Sequence, residues 1–200
     1  MIKKYILSIT LMVFLLVGFS NYTYAETNKN EEKKVTRGEC IMHIMKILGV
    51  DDDSASLYAD IDYVRPVFAD LIYNETHTGY IIIANLNHVA IGVNRGNSDI
   101  NYFEANRNVT VKECIAFVLR CLTEPSNVKW DDSIISSSVE FGLLTEEEIE
   151  VISFDSQLTQ NMLKTILERM SNMDRRLYWS QDRGRFCVCQ GDGSVDTQAD

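Results

Sequence analysis

Val35-Thr36-Arg37-Gly38-Glu39 stands directly before an apolar helical stripe, and Val109-Thr110-Val111-Lys112-Glu113 repeats its form later in the chain. Both stretches contain the capping box Thr-x-x-Glu. In this motif the Thr hydroxyl accepts from the backbone N–H of the third helical residue, and the Glu carboxylate accepts from the N–H of the Thr. The valine before each Thr is typical of a hydrophobic staple. Two such starts in one register indicate an internal repeat.

A third threonine, Thr159, falls in the same register, although the residues after it include neither the Arg nor the Glu. Apolar residues follow each of the three threonines four, eight and eleven positions later. That spacing places them on one stripe of an α-helix. The sequence therefore predicts three capped helices, over about 36–48, 110–122 and 159–172.

The segments between these helices also correspond to each other. Tyr58-Ala59-Asp60 follows the first helix and Trp130-Asp131-Asp132 follows the second. Each leads into a second helical pattern, predicted over Val64 to Ile72 and over Ile134 to Leu143. Two apolar segments in the first unit, Tyr80 to Leu86 and His88 to Val93, fit either strands or a short helix. The sequence predicts a mainly α fold.

The composition of the chain predicts a signal peptide and a linker before the repeat domain and a tail after it. Residues 1–25 are predicted to be a secretory signal peptide, because a basic start and an apolar run precede a small-residue cut site after Ala25. An uncleaved membrane anchor is the alternative, but the run is shorter than the roughly 20 residues of a span. Residues 26–34 are predicted to be a charged linker and 35–174 the repeat domain. Residues 175–200 form a tail that is expected to be partly disordered.

The tail carries one local signal. Asp182-Arg183-Gly184 has turn chemistry and predicts a small hairpin. Such a hairpin would bring Tyr178 or Trp179 near Phe186. From Gly191 onward the tail is polar and is predicted to be disordered.

This layout resembles the S-layer homology (SLH) domain of bacterial cell-surface proteins. Residues 35–39 match its Thr-Arg-Ala-Glu motif best. Residues 103–110 match the run from Phe to Thr, with Ala105 where the family usually has Pro. The resemblance covers about residues 33–172. It implies three helical repeats around a pseudo-threefold axis, joined by short extended connections. It also implies non-covalent anchoring to secondary cell-wall polysaccharide, often through a pyruvylated sugar.

The resemblance also assigns ligand residues. The Arg of the family motif binds the sugar, and here only Arg37 occupies that position. A carboxylated sugar needs a fixed cation and N–H donors, and an arginine in the first helical turn supplies a planar fork beside the positive helix end. The second motif has Val111 there, so Lys112 is its partial substitute. The predicted ligand-binding residues are Thr36, Arg37, Glu39, Thr110 and Lys112.

Charge narrows the range of partners. The formal net charge of the chain is −10, which argues against nucleic acid and anionic membranes as partners. An acidic glycan would then need a local basic site on this acidic protein. We expect no cofactor, no metal and no membrane span once the signal peptide is removed.

The five cysteines form no pattern of a disulfide scaffold. Cys40 and Cys114 occupy the position where the third repeat has Leu163, so they are predicted to be small buried hydrophobic residues. A disulfide from Cys40 to Cys114 or to Cys121 across the central axis remains an alternative. Cys187-Val188-Cys189 lacks the further ligands that a zinc site needs.

Two other features, a histidine in the first capped helix and two acidic runs, could suggest a catalytic or calcium site, but their sequence context favours structural roles. His43 is predicted to be a packed histidine at the edge of the core. The acidic runs at 51–53 and 146–148 lack the alternating spacing of a calcium loop. They are predicted to be helix N-termini and solvated faces.

We therefore expect a secreted, non-catalytic protein that associates with the cell wall or surface of a Gram-positive bacterium. One alternative is an SLH-like module that contacts a protein partner and binds no glycan. Another is a hydrolase that uses Cys40 and His43. One helix face does not assemble a nucleophile, a base and a residue that orients the base.

Overall fold

The computed structural model of this protein describes residues 33–61, 67–72, 75–96, 101–173 and 176–189. The predicted signal peptide, most of the predicted linker and the end of the tail lie outside these described residues. The described chain is mainly α-helical, as the sequence predicts.

The described residues form seven α-helices: α1 (Arg37–Ile47), α2 (Asp52–Ile61), α3 (Thr78–Leu86), α4 (Val111–Leu122), α5 (Ser133–Glu140), α6 (Glu146–Val151) and α7 (Gln160–Ser171). Two small antiparallel sheets pair β1 (Val93–Asn94) with β2 (Asn101–Tyr102) and β3 (Arg176–Ser180) with β4 (Arg185–Cys189). Among the described residues, no helix combines the length and the apolar composition that crossing a membrane requires.

The three predicted capped helices are confirmed as α1, α4 and α7, and each begins directly after its threonine. The hydroxyl oxygens of Thr36 and Thr110 accept from the N–H groups of Glu39 and Glu113, both at 3.2 Å. Each glutamate carboxylate accepts in return from the N–H of its threonine. Thr159 caps α7 at 3.3 Å without a glutamate. Each cap stabilises its helix by about 1 kcal/mol.

A closed ring of backbone hydrogen bonds joins the residues that precede the three caps. The N–H of Val35 donates to the carbonyl of Leu158 at 3.1 Å, and the N–H of Leu158 donates to the carbonyl of Val109 at 2.9 Å. The N–H of Val109 donates back to Val35 at 2.9 Å. All three residues are buried. The ring therefore holds the N-terminal ends of α1, α4 and α7 together at the centre of the core.

The first of the two apolar segments that fitted either strands or a helix forms a helix, α3, over Thr78–Leu86, whereas residues 88–92 form turns and irregular structure before β1. Its residues from Thr78 to Ala84 are all buried, and the helix packs against α1 and α2. Gly79 permits the close approach to α2, because a Cβ at that position would lie 1.7 Å from the carbonyl oxygen of Ala55. A larger residue would force the two helices apart.

The prediction of a second helix over 64–72 is wrong for its described part. Residues 67–72 form bends and turns, and the helix in this part of the chain is α2, which ends at Ile61. Phe68 is nevertheless buried and packs against the ring of Phe103, with 5.4 Å between centroids. The apolar spacing in this segment reflects burial rather than helical structure.

The second half of the chain follows its predicted pattern more closely. The helix predicted over 134–143 is confirmed in its main part as α5. Both acidic runs lie at helix N-termini, as predicted, with Asp52 and Asp53 in the first turn of α2 and residues 146–148 in the first turn of α6. A further capping box, between Thr145 and Glu148, starts α6 and was not predicted from the sequence.

The predicted hairpin near the C-terminal end is confirmed. Residues 181–184 form the turn, and β3 pairs with β4 so that Trp179 lies opposite Phe186, with 5.2 Å between ring centroids. Trp179 is buried, and its backbone N–H donates to the carbonyl of Leu48 at the end of α1. This part of the tail is therefore packed on the helical domain.

Candidate functional site

The N-terminal ends of the capped helices are closed by backbone contacts. The N–H groups of Arg37 and Gly38 donate to the carbonyls of Arg107 and Ala105, at 2.8 and 2.9 Å. The first two N–H groups of α4 donate in the same way to the segment before α7. The cap threonine takes the third N–H in each helix. A ligand of Arg37 would therefore find none of these N–H groups free, contrary to the sequence-based expectation.

Arg37 is a buried ion-pair partner, with a side chain only 3% exposed. Its Nη1 donates to the Glu113 carboxylate at 2.6 Å, its Nε to the Phe103 carbonyl at 2.9 Å and its Nη2 to the Ile91 carbonyl at 3.2 Å. The guanidinium also lies 4.7 Å from the centroid of the Phe103 ring, a cation–π contact. Burial lowers the pKa of Arg37, but a guanidinium stays protonated in proteins.

Glu113 connects the cap of α4 to two arginines. Its carboxylate accepts from the Thr110 N–H at 2.9 Å, from Arg37 at 2.6 Å and from both terminal nitrogens of Arg107, at 2.6 and 3.1 Å. Burial by itself would raise the pKa of Glu113. The hydrogen bonds from Arg107 and the charge of Arg37 outweigh burial and hold the pKa below its ordinary value. Glu113 is therefore ionised at neutral pH.

A second buried arginine, Arg120, lies close to Arg37 and has no acidic partner among the described residues. Arg120 is 5% exposed, its Nη1 donates to the Val89 carbonyl at 3.2 Å, and its Nε has no hydrogen-bond partner. Burial and the positive charge of Arg37 lower the pKa of Arg120. An unpaired buried donor costs about 1–3 kcal/mol, so an acceptor group placed here would be stabilised.

The two buried arginines line the same cavity, which has a volume of about 460 Å³ and which we call the Arg37 groove. Its lining consists of Arg37, Ile91, Gly92, Val93, Glu113, Phe117, Arg120, Val128 and Trp130. Two arginines and one glutamate leave the lining with one net positive charge. The Arg37 groove is thus a local basic site on an acidic protein, and its volume lies within the usual range for ligand pockets.

The rim of the Arg37 groove carries an exposed aromatic ring and a lysine. Trp130 is 59% exposed. The Nζ of Lys112 lies 5.4 Å from the centroid of the Trp130 ring and 3.6 Å from the Asp132 carboxylate. The sequence analysis expected Lys112 to substitute for the missing arginine of the second motif. The structure places it instead beside the groove that Arg37 lines.

A second cavity, of about 590 Å³, lies between α7 and α1, and we call it the Gln160 groove. Gln160 is the first residue of α7, as Arg37 is the first residue of α1. Glu39 and His43 of α1 line this groove, and they follow Thr36 at the same distances at which Glu113 and Phe117 follow Thr110. The charged lining residues are Glu39, Lys164 and Glu168, which leave one net negative charge.

The structure divides the five predicted ligand-binding residues between the two grooves. Arg37 lines the Arg37 groove, Lys112 lies beside its rim, and Thr110 caps the helix that carries Glu113. Thr36 and Glu39 form the capping box of α1, and Glu39 lines the Gln160 groove. The predicted residues therefore do not form one site.

Arg120 and Trp130 are groove residues that the sequence analysis did not select. Arg120 stands inside the apolar run from Ile115 to Leu122. A charged residue in such a run is a usable signal, because a buried charge needs a partner. Trp130 gives no comparable signal, since sequence does not show whether an aromatic ring is buried or exposed.

The structure separates the proposed catalytic pair of Cys40 and His43. Cys40 and Cys114 are fully buried, which confirms that they are small core residues. The prediction that His43 packs at the core edge is wrong, because the side chain is exposed on the wall of the Gln160 groove. Within the described part of the chain, no group of three or more His, Cys, Asp or Glu residues is placed to hold a metal ion.

No family model, no curated protein and no solved structure matches this chain. What the protein binds must therefore be argued from its own side chains. The Arg37 groove is the stronger candidate, because it combines an unpaired buried donor, a net positive lining and an exposed aromatic rim.

Proposed function

We propose that this protein is a secreted, non-catalytic protein of the SLH type, which binds an acidic cell-wall glycan of a Gram-positive bacterium in the Arg37 groove. The proposed architecture is three helical repeats around a pseudo-threefold axis. The closed ring of hydrogen bonds through Val35, Val109 and Leu158 supports that arrangement, because each repeat contributes the same position to it. Secretion rests on the sequence of residues 1–25.

The observation that carries the proposal is that two buried arginines line the Arg37 groove, and that one of them, Arg120, has no acidic partner among the described residues. A carboxylate there would accept a charge-assisted hydrogen bond, which is about twice as strong as a neutral one. The adjacent Arg37 adds a second positive charge, only part of which Glu113 neutralises, because Glu113 also pairs with Arg107. The site therefore favours an anionic group over a neutral one.

The rim of the groove fits the remainder of a sugar. The exposed ring of Trp130 offers a flat apolar face, and Ile91 and Val93 add exposed apolar surface. Ligand sites typically combine such apolar walls with a few placed polar groups. A carboxylated sugar would direct its carboxylate to Arg120 and lay its ring on Trp130.

The buried thiol supports a non-catalytic protein. The hydrogen bond with Cys114 and burial raise the pKa of Cys40 well above its ordinary value. A nucleophilic cysteine needs the opposite shift, toward the thiolate. The exposed position of His43 leaves Cys40 without a base on its own helix.

The test is a pull-down of the mature chain with Gram-positive wall fragments that retain their polysaccharide. Arg120→Gln and Trp130→Ala should each weaken binding about tenfold, the effect of losing about 1.4 kcal/mol at a central contact. Arg169→Gln is the matched control for Arg120, because Arg169 follows its own cap at the same distance and pairs with Glu148 away from this groove. Val151→Ala is the control for an exposed apolar residue.

Two outcomes would count against the proposal. Unchanged binding by both Arg120→Gln and Trp130→Ala would remove the Arg37 groove as the site. Absence of binding by the unmodified chain would remove glycan binding altogether. Circular dichroism of each variant establishes that lost binding is not lost folding.

A second candidate function is an SLH-like module that contacts a protein partner and no glycan. The burial of Arg37 favours it, because three of its side-chain nitrogens already have partners in the protein. Binding that survives chemical removal of the wall polysaccharide would support this second function over the first.

A further inference from the structure

Two cysteines meet at the centre of the fold, although they are distant in sequence. Cys40 is the fourth residue of α1 and Cys114 the fourth residue of α4. The ring of backbone bonds through Val35, Val109 and Leu158 brings the N-terminal ends of these helices together. Equivalent positions on the two helices therefore lie side by side.

The two thiols occupy matching positions on helices α1 and α4, and both are shielded from water. Cys40 and Cys114 are both 0% exposed and carry free thiols in this structure. The helices α1 and α4, which carry them, pack against each other, and interaction with Cys114 contributes to the raised pKa of Cys40. Leu163, at the same position of α7, supplies no third thiol. The centre of the core therefore holds two thiols at matching helix positions, among apolar residues.

The remaining buried cysteine of α4 is differently placed. The thiol of Cys121 donates to the carbonyl of Phe117 at 3.2 Å, one turn earlier in the same helix. Cys121 lies two turns beyond Cys114, so it is about 10 Å farther along α4 from the joined N-terminal ends of α1 and α4. Cys114 is therefore the thiol that Cys40 meets.

We propose that Cys40 and Cys114 are a built-in cross-linking site, which forms an internal disulfide when the chain folds in contact with a disulfide oxidant. One thiolate attacks a disulfide of the oxidant, giving a mixed disulfide and releasing one thiol. The second thiolate attacks the protein sulfur of that mixed disulfide and releases the second thiol. The protein loses two hydrogen atoms, and the oxidant is reduced from a disulfide to two thiols.

Burial determines when this exchange takes place. An oxidant reaches neither sulfur in the packed core, so the reaction belongs to folding, before α1 and α4 close on each other. Once formed, the bond is protected from soluble thiols by the same burial. The inference does not depend on glycan binding, and its test uses no wall material.

The experiment refolds the reduced mature chain in a mixture of reduced and oxidised glutathione, then blocks free thiols in acid and digests with trypsin. Trypsin releases Gly38–Lys46 with Cys40 as its only cysteine and Glu113–Arg120 with Cys114 as its only cysteine. The expected product is one species, lighter by two hydrogen atoms than the two peptides together, which separates on reduction. The oxidised chain should also melt about 5–10 °C above the reduced chain, because the bond closes a long loop.

Variants make the assignment specific. Cys121→Ala should leave the linked peptides intact, whereas Cys114→Ala should abolish both the linkage and the difference in melting temperature. Recovery of both peptides with blocked thiols after oxidative refolding of the unmodified chain would overturn the proposal. So would a linkage of Cys40 to any cysteine other than Cys114.

Discussion

The Arg37 groove and the Gln160 groove share a design and differ in charge. Each groove lies between two of the capped helices. The first residue of one helix lines the groove, and so does the residue seven positions after the cap threonine of the other helix. In the first groove these residues are Arg37 and Phe117, and the lining is positive. In the second they are Gln160 and His43, and the lining is negative.

The difference shows that two adjacent positions have separate roles: the cap threonine starts the helix, and the residue after it varies with the chemistry of the groove. The cap threonine makes the same hydrogen bond in α1, α4 and α7. The residue directly after the cap varies from Arg37 to Val111 to Gln160. Helix initiation does not depend on that residue, so its side chain can vary and set the chemistry of the adjacent groove.

The largest effect should come from removing Arg37. Arg37→Ala should lower the free energy of unfolding by about 3–5 kcal/mol, because it breaks a buried ion pair and leaves Glu113 without one partner. Gln160→Ala, at the matching position of the other groove, should change it by less than about 0.5 kcal/mol. Urea unfolding of both variants measures the difference, and equal losses would mean that Arg37 has no special structural role.

The next effect concerns the glutamates that follow the two caps. Glu113→Gln should cost about 2–3 kcal/mol at neutral pH, because it removes the charge that pairs Arg37 and Arg107. Glu39→Gln, which disturbs only a capping box, should cost about 1 kcal/mol. Thermal unfolding of the two variants at pH 7 would contradict this prediction if Glu39→Gln were the more damaging.

The same pair predicts a dependence on pH. The folded-state pKa of Glu113 lies below its ordinary value of 4.5. Its stabilisation is therefore complete above that value and is lost as the pH falls through the lower folded-state pKa. Unfolding between pH 7 and pH 3 should show a steeper acid loss for the unmodified chain than for Glu113→Gln. Parallel curves would exclude Glu113 as a source of the acid sensitivity.

A gain of function would test the comparison from the other side. Gln160→Arg places in the second groove the side chain that distinguishes the first and cancels its net negative charge. We expect wall-fragment binding to rise about threefold, a gain of under 1 kcal/mol. Gln160→Lys controls for charge without the planar fork. Unchanged binding by Gln160→Arg would mean that position alone does not determine the chemistry of a groove.

The smallest effect should come from the rim. Lys112→Gln should weaken wall binding about twofold, because Lys112 is paired with an exposed aspartate and lies beside Trp130 rather than inside the groove. Lys164→Gln, in the Gln160 groove, should leave binding unchanged. A loss for Lys112→Gln as large as that for Arg120→Gln would place the ligand at the rim.

Local signals predicted the capped helices well. The threonines, the staple residues and the apolar stripes indicated α1, α4 and α7 to within a residue or two of their bounds. These signals are reliable because a cap and its stripe involve residues only a few positions apart. The hairpin of the tail was predictable for the same reason.

Segments buried on every side were not predictable in the same way. Residues 80–84 are an unbroken apolar run, so no periodicity distinguished helix from strand, and packing against α1 and α2 produced the helix. Residues 67–72 carry apolar side chains at helical spacing but form bends. Their spacing reports contacts such as that of Phe68 with Phe103.

The sequence alone specifies where the capped helices begin and that three of them share one register. It also shows that an arginine directly follows the cap threonine in only one of the three, at Arg37. These are properties of neighbouring residues, which the chain specifies locally. The tertiary structure was needed to show that Arg37 is buried against Glu113, that Arg120 has no acidic partner among the described residues, and that Cys40 and Cys114 are both in the core at the joined ends of α1 and α4. Those contacts join distant segments, and burial sets their energies, so they exist only once the three helix ends have closed around the core.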